Sequence, residues 1–271
     1  MSVRINVHPS FDVLAATTAA RIITKLLDTQ NERGEATVVL TGGTVGIATL
    51  KAIVDSPACE AANWAKVNFW WGDERFLPAG DPDTNAQQAQ EALLSHIGVD
   101  PSRVHPMGGP DRFATPEESA ADYARELAEA AAAQSHDDDG ADLDTKALLW
   151  RAMPQIDVLL LGIGPDAHIA SLFPEIAGIR VKDSLVVGVQ NSPKPPPLRV
   201  SLTLPAINSA HEVWMVAAGS DKADAVGLAL AGANPVQVPA AGPAGQSKTL
   251  WLIDQDAAAK VPENLMLNGS H

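Results

Sequence analysis

The residues best placed for chemistry are Asp166 and His168, two positions apart in the run Leu160-Leu161-Gly162-Ile163-Gly164-Pro165-Asp166-Ala167-His168-Ile169-Ala170-Ser171-Leu172-Phe173-Pro174. Imidazole is the side chain best suited to take and return a proton near neutral pH. A carboxylate two residues away either orients the ring or caps a following helix. The run follows Ile156-Asp157-Val158-Leu159, so it reads as a buried strand, a glycine turn and a helix start. Ligands of open α/β sheets bind at the carboxyl ends of strands. The spacing therefore points to acid–base chemistry on a small molecule.

Other blocks sit in similar places. Thr41-Gly42-Gly43-Thr44 follows the apolar run Val38-Val39-Leu40 and precedes a helical pattern. Paired glycines there offer close backbone approach, and free amides at a helix start suit an anion such as phosphate. The alternative is a tight connection with a threonine cap. It is not the G-x-G-x-x-G dinucleotide fingerprint, and Gly162-x-Gly164 fails that test too. Gly72-Asp73-Glu74-Arg75 packs three charges at the end of an aromatic strand. Either this is an ion-pair cluster, or Arg75 grips an anion through its planar fork while the carboxylates orient it or a partner. Ser192-Pro193-Lys194-Pro195-Pro196-Pro197-Leu198-Arg199 holds two cations on a proline-stiffened loop. Preorganised cations suit a charged substrate, which outweighs a polyproline partner motif. Gly219-Ser220-Asp221-Lys222 is either a capped helix start or a further anion contact.

These residues need a scaffold. Val38–Leu40, Val67–Trp71, Ile156–Leu161, Val186–Val189, Val213–Ala218 and Leu250–Ile253 read as strands. Helical patterns cover roughly Phe11–Asp28, Gly46–Val54, Asn85–Leu94 and Pro116–Ala133. The alternation predicts an α/β fold with a mostly parallel sheet covered on both faces. The stretch from Gln134 to Gly140 reads as a solvated acidic loop, and Asn234 to Gln246 as a surface loop. His136 and His271 are expected to be exposed and idle. No internal repeat or domain boundary is visible, so one domain over residues 1–271 is expected.

Composition narrows the function. The chain has 271 residues, 46% of them hydrophobic, enough for a full core. No run is apolar for long enough to span a bilayer, and the start lacks the pattern of a secretory signal. The single cysteine, Cys59, makes no internal disulfide and has no nucleophile context. A cytoplasmic enzyme is the expectation. With 33 acidic and 19 basic residues the net charge is −14, which argues against nucleic-acid binding. A small anionic ligand remains open, because a few convergent cations reverse a local potential.

Taken together, these blocks resemble the 6-phosphogluconolactonase family. The resemblance runs through the glycine turn, Trp71-Gly72-Asp73-Glu74-Arg75 with Asp83-Thr84-Asn85, the Gly162–Pro174 block, the Ser192–Pro197 run with Arg199, and Gly219-x-x-Lys222. It implies a doubly wound α/β sandwich of three layers, shared with sugar-phosphate isomerases and glucosamine-6-phosphate deaminases. It implies no metal and no organic cofactor. It puts the general base on His168, with Asp166 beside it. Substrate contacts fall on Gly42, Gly43, Thr44, Asp73, Arg75, Lys194 and Arg199, and on Lys222 by similarity to the deaminases. The implied reaction is hydrolysis of 6-phospho-D-glucono-1,5-lactone to 6-phosphogluconate in the pentose phosphate pathway, with no nucleic acid or membrane involved. The deaminases usually end the histidine block in Asn-Glu-Pro, where this chain has Ser171-Leu172-Phe173-Pro174. Two positions depart from the family pattern. The glycine turn reads Thr-Gly-Gly-Thr-Val-Gly, which keeps the paired glycines. Ala167 stands where the family usually has glycine, and it is expected at an ordinary negative φ, facing away from the pocket.

Overall fold

Branched and aromatic residues build the central strands, and the two faces of the main sheet go to different cores. In the computed structural model, which describes residues 2–134 and 145–267, the elements are β1 (Ser2–His8), α1 (Phe11–Arg33), β2 (Ala36–Leu40), α2 (Gly43–Asp55), β3 (Val67–Trp71), β4 (Asp73–Arg75), α3 (Asn85–Ala92), β5 (Val104–His105), α4 (Pro116–Gln134), α5 (Thr145–Arg151), β6 (Val158–Gly162), β7 (Val186–Val189), β8 (Arg199–Leu202), α6 (Leu204–Ile207), β9 (Glu212–Ala217), α7 (Ala223–Leu230), β10 (Lys248–Asp254) and α8 (Glu263–Leu267). The acidic run 135–140, His136 and His271 lie outside the described residues.

The main sheet has seven strands in the order β1-β10-β9-β6-β2-β3-β5, and every neighbouring pair is parallel. Side chains alternate faces along each strand. Val38, Leu40, Phe69, Trp71, Val158 and Leu160 enter the core under α1, α2 and α3. Val39, Trp70, Leu159, Leu161, Met215 and Ile253 enter the opposite core with α4 and α7. Both faces are therefore covered, as a parallel sheet requires. From β2 the chain winds outward through β3 to β5, and from β6 it winds the other way through β9 and β10. The β2/β6 boundary is thus the switch point, where such sheets open a crevice at their carboxyl ends.

A second sheet, β4-β8-β7, is antiparallel and pairs Arg75 with Arg199 and Asp73 with Ser201. Val186–Val189 is the strand expected there, but it belongs to this small sheet. The segment 234–246 is also less of a surface loop than its composition implies, because Val238 and Ala240 are buried in the core.

Two expectations fail in the loop after β6. No helix starts there. Gly164 N–H instead donates to the His168 carbonyl at 2.9 Å, and Ile169 forms isolated bridges with Ile163 and Leu172. Ile169 and Leu172 are fully buried, and anchoring both holds the chain in irregular turns. Ala167 is not at an ordinary φ either. It sits at φ 65°, and Ala170 at φ 47°, both in the left-handed region that helices exclude. Support comes from Ala240, whose N–H donates to the Ala167 carbonyl at 3.0 Å. The second half of the expectation holds: the Ala167 methyl is buried in the core, away from the pocket.

Candidate active site

The crevice at the switch point is a cavity of about 550 Å³. Its wall comes from the turn after β2, from β4 and β8, from the loop after β6, from the proline-rich loop and from the start of α7. Of the residues singled out from sequence, His168, Gly42, Gly43, Thr44, Asp73, Arg75, Lys194, Arg199 and Lys222 all line it. Asp166 does not line it but stands behind His168.

The histidine is held on two sides. Its Nδ1 lies 2.5 Å from Asp166 Oδ1, and its ring stacks on Phe173 with centroids 4.6 Å apart. A carboxylate only accepts, so Nδ1 carries a proton, and in the neutral ring Nε2 is then the nitrogen with the lone pair. That tautomer is the one a general base needs. Lys194 Nζ donates to the same Asp166 Oδ1 at 3.1 Å, which brings it to 3.4 Å from Nδ1. Partial burial works to raise the Asp166 carboxyl. The hydrogen bonds and charges of His168 and Lys194 outweigh it and hold that carboxyl well below the usual carboxylate range. Asp166 therefore orients the ring, and the helix-cap alternative is eliminated because no helix follows. Gly164 makes room for the pair: a Cβ there collides with His168 Nδ1 and Asp166 Oδ1.

The cations are fixed to different degrees. Arg199 is 5% exposed, and its guanidinium donates to three carbonyls of the proline-rich loop: Pro196 at 3.1 Å, Pro195 at 3.0 Å and Lys194 at 3.2 Å. Burial pulls Arg199 below its ordinary pKa, Asp73 opposes that, and Arg75 adds to it. Arg75 donates from Nη1 to the Asp83 carbonyl at 2.6 Å. Lys222 pairs with Asp221 at 2.9 Å at the far end of the cavity, beside the start of α7.

Asp73 is 7% exposed and tied in place by partners that sequence reasoning assigned no role. Ser171 Oγ donates to Asp73 Oδ2 at 2.7 Å, and Asn85 Nδ2 donates to the Asp73 carbonyl at 2.8 Å. The Asn85 side chain lies over Gly42, where a Cβ collides with it, so packing alone demands glycine there. Glu74 does not join the site. It points away from Asp73 and Arg75 and accepts the N–H groups of Arg75, Asn85 and Ala86 at 2.7, 2.7 and 2.8 Å. It caps α3, and strand alternation through Asp73-Glu74-Arg75 is the signal that separates it. Among the described residues no group of three or more His, Cys, Asp or Glu side chains is arranged to hold a metal ion.

The arrangement offers an oriented base, a tethered carboxylate and converging cations around a crevice open to a small anion. Comparison with known proteins gives the family. The family model described as glucosamine-6-phosphate isomerases/6-phosphogluconolactonase matches residues 9–251. The chain is 51% identical to a 6-phosphogluconolactonase of Streptomyces coelicolor, over 96% of this chain and 95% of that one. It is 43% identical to a 6-phosphogluconolactonase of Mycobacterium tuberculosis, over 97% of this chain and 100% of that one. The solved 6-phosphogluconolactonase of Trypanosoma brucei superposes with a TM-score of 0.77 at 25% identity, covering 96% of this chain and 99% of that one.

Proposed function

The chain belongs to the family of glucosamine-6-phosphate isomerases and 6-phosphogluconolactonases, and from that premise we propose that it hydrolyses 6-phospho-D-glucono-1,5-lactone to 6-phosphogluconate with His168 as general base. The observation that carries the reading is the His168–Asp166 pair at 2.5 Å, set in a crevice with Arg75, Lys194, Arg199 and Lys222. His168 Nε2 takes a proton from water as the water oxygen attacks the lactone carbonyl carbon. Asp166 stabilises the imidazolium that forms. As the tetrahedral intermediate collapses, the bond from carbonyl carbon to ring oxygen breaks. His168 returns its proton to that ring oxygen, so the ring opens to an acid and a hydroxyl. Each step uses side chains and water alone.

The phosphate supplies binding energy remote from the reacting carbon. Amides of Gly42, Gly43 and Thr44 at the start of α2 and the cations of Arg75, Arg199, Lys194 and Lys222 are the groups assigned to the charged ends of the substrate. Asp73, held by Ser171 and Asn85, is assigned to a sugar hydroxyl. The reading is of one domain over residues 1–271, cytoplasmic, with a small molecule as its partner and without nucleic acid. Its net charge of −14 disfavours a polyanion, while the local cations favour a small one. No helix among the described residues is long and apolar enough to cross a membrane.

The test is a coupled assay of 6-phosphogluconate formation, corrected for spontaneous lactone hydrolysis. The expected result is turnover in proportion to enzyme. Ammonia release from glucosamine 6-phosphate without lactone hydrolysis overturns the assignment.

A further inference from the structure

Phe173 lies five residues after His168 and is 1% exposed. Its ring faces the imidazole, with centroids 4.6 Å apart and planes at 29°. The chain fixes it on both sides. Leu172 before it is fully buried and donates its N–H to the Ile169 carbonyl at 2.8 Å. After Pro174, the Glu175 N–H donates to the Val236 carbonyl at 2.9 Å. The phenyl ring is therefore part of the frame, and the imidazole is set against it.

Asp166 and Phe173 constrain His168 in different ways. The hydrogen bond between Nδ1 and Asp166 at 2.5 Å fixes one atom and leaves the ring free to swing about it. The stack removes that swing by setting the plane, so Nε2 is left one position. A phenyl face also carries the negative lobe of the ring quadrupole, which attracts a cation within about 6 Å of the centroid. The imidazole is neutral before it takes a proton and cationic afterwards. The attraction is thus stronger in the state formed on the way to the tetrahedral intermediate, which is the condition for accelerating a step. Arg199 Cζ lies 5.8 Å from the same centroid, but a guanidinium stays charged throughout, so its contact does not change during the reaction. The other charges at the imidazole, Asp166 and Lys194, meet it at Nδ1 and not through the phenyl ring.

We propose that Phe173 is a positioning residue for His168: its ring sets the plane of the imidazole and stabilises the imidazolium formed when water gives up its proton. The contact stands on geometry, while its part in the reaction rests on the function proposed above. The phenyl ring also keeps water from one side of the imidazole, which works against a charge there. The two effects oppose each other, and only the attraction depends on the electrons of the ring.

Phe173→Leu changes the shape of the core as well as removing the face, so the decisive variants carry mono-, di- and trifluorinated phenylalanine at position 173. These keep the ring and drain its face of negative charge in steps. Proton NMR follows the His168 ring through a pH titration, with its signals assigned by their loss in His168→Ala. Alongside it are measured kcat on the lactone, corrected for spontaneous hydrolysis, and the Kd of 6-phosphogluconate. The midpoint at which His168 gains its proton is expected to move to lower pH with each fluorine. In the same order kcat falls, by roughly three- to thirtyfold across the series, and the product Kd stays within a few-fold. Normal turnover with an unmoved midpoint overturns the role of Phe173 and leaves the lactonase reading intact. A fall in kcat with an unmoved midpoint, or one matched by an equal loss of product affinity, overturns it as an effect of shape. An ordered shift of the midpoint in a protein whose unmodified form has no lactone turnover overturns the reaction itself, and the catalytic part of Phe173 with it.

Discussion

In the proposed reaction His168 depends on Asp166 to choose its tautomer. The carboxylate at 2.5 Å keeps the proton on Nδ1 and leaves Nε2 to act. An amide in its place can donate to Nδ1 and reverse that choice, and it removes the partner of Lys194. Asp166→Asn is therefore expected to lower kcat by at least roughly tenfold, the scale on which oriented acid–base catalysis is lost. The Kd for 6-phosphogluconate stays within a few-fold, read by calorimetry. A variant with unchanged kcat and weakened product binding contradicts the orienting role. Ala167, one residue on, carries a backbone cost. A non-glycine residue in the left-handed region costs about 1–2 kcal/mol. Against that, Ala167→Gly loses a buried methyl, about 0.8 kcal/mol, and gains unfolded-chain freedom, about 0.4–1 kcal/mol. The terms nearly cancel, so Ala167→Gly is expected to be close to neutral in denaturant melts. Ala167→Val adds a branched Cβ at the same φ of 65° and is expected to destabilise by about 2 kcal/mol or more. Equal stability of the Val and Ala proteins contradicts the left-handed assignment.

At the scale of elements, short strands carry the site: β4 has three residues and β8 has four. Glu74 joins β4 to α3 by accepting the amides that begin the helix. Burial pushes its carboxyl up to about 7 against those hydrogen bonds, with Asp73 adding to the rise. A carboxyl raised in the folded state stays protonated there after the unfolded chain has lost its proton. Between about pH 4.5 and about pH 7 the folded state then binds more protons, so stability falls as pH rises, by at most about 3 kcal/mol from this group. Glu74→Gln is expected to flatten that part of the stability profile in urea melts. Parallel profiles for the two proteins contradict it. Long elements were legible in the sequence because period and punctuation agree: α1 and β3 stand where apolar spacing placed them, and Thr84 caps α3 through the Gln87 N–H. The strands β4 and β8 were not legible as strands. They are short, polar residues (Asp73, Glu74, Arg75, Arg199, Ser201) interrupt their apolar pattern, and they are fixed by pairing to each other. The loop after β6 misled because glycine turns after strands usually open helices, whereas here Ile169 and Leu172 are anchored in the core. The same limit applies to the site. Residue types marked the proposed base and the cations that line the crevice, but the tethers on Asp73 from Ser171 and Asn85 join distant parts of the chain.

Across the whole molecule, two cores share one sheet. Leu160 feeds one and Leu161 the other, so neither face can open without disturbing the strands common to both. Calorimetry is therefore expected to show a single cooperative transition whose van't Hoff and calorimetric enthalpies agree. Two resolved transitions contradict the single-domain reading. The same arrangement puts the carboxyl ends of β2 and β6 side by side, which is why residues as far apart as Gly42 and His168 meet around one crevice. The central claim is that His168 is the base working in that crevice. It is tested most directly by kcat of His168→Ala on 6-phospho-D-glucono-1,5-lactone, corrected for spontaneous hydrolysis, beside the Kd of 6-phosphogluconate. The account predicts a fall of roughly 10²–10⁴-fold in kcat, with product affinity retained. A folded variant with near-wild-type kcat contradicts it.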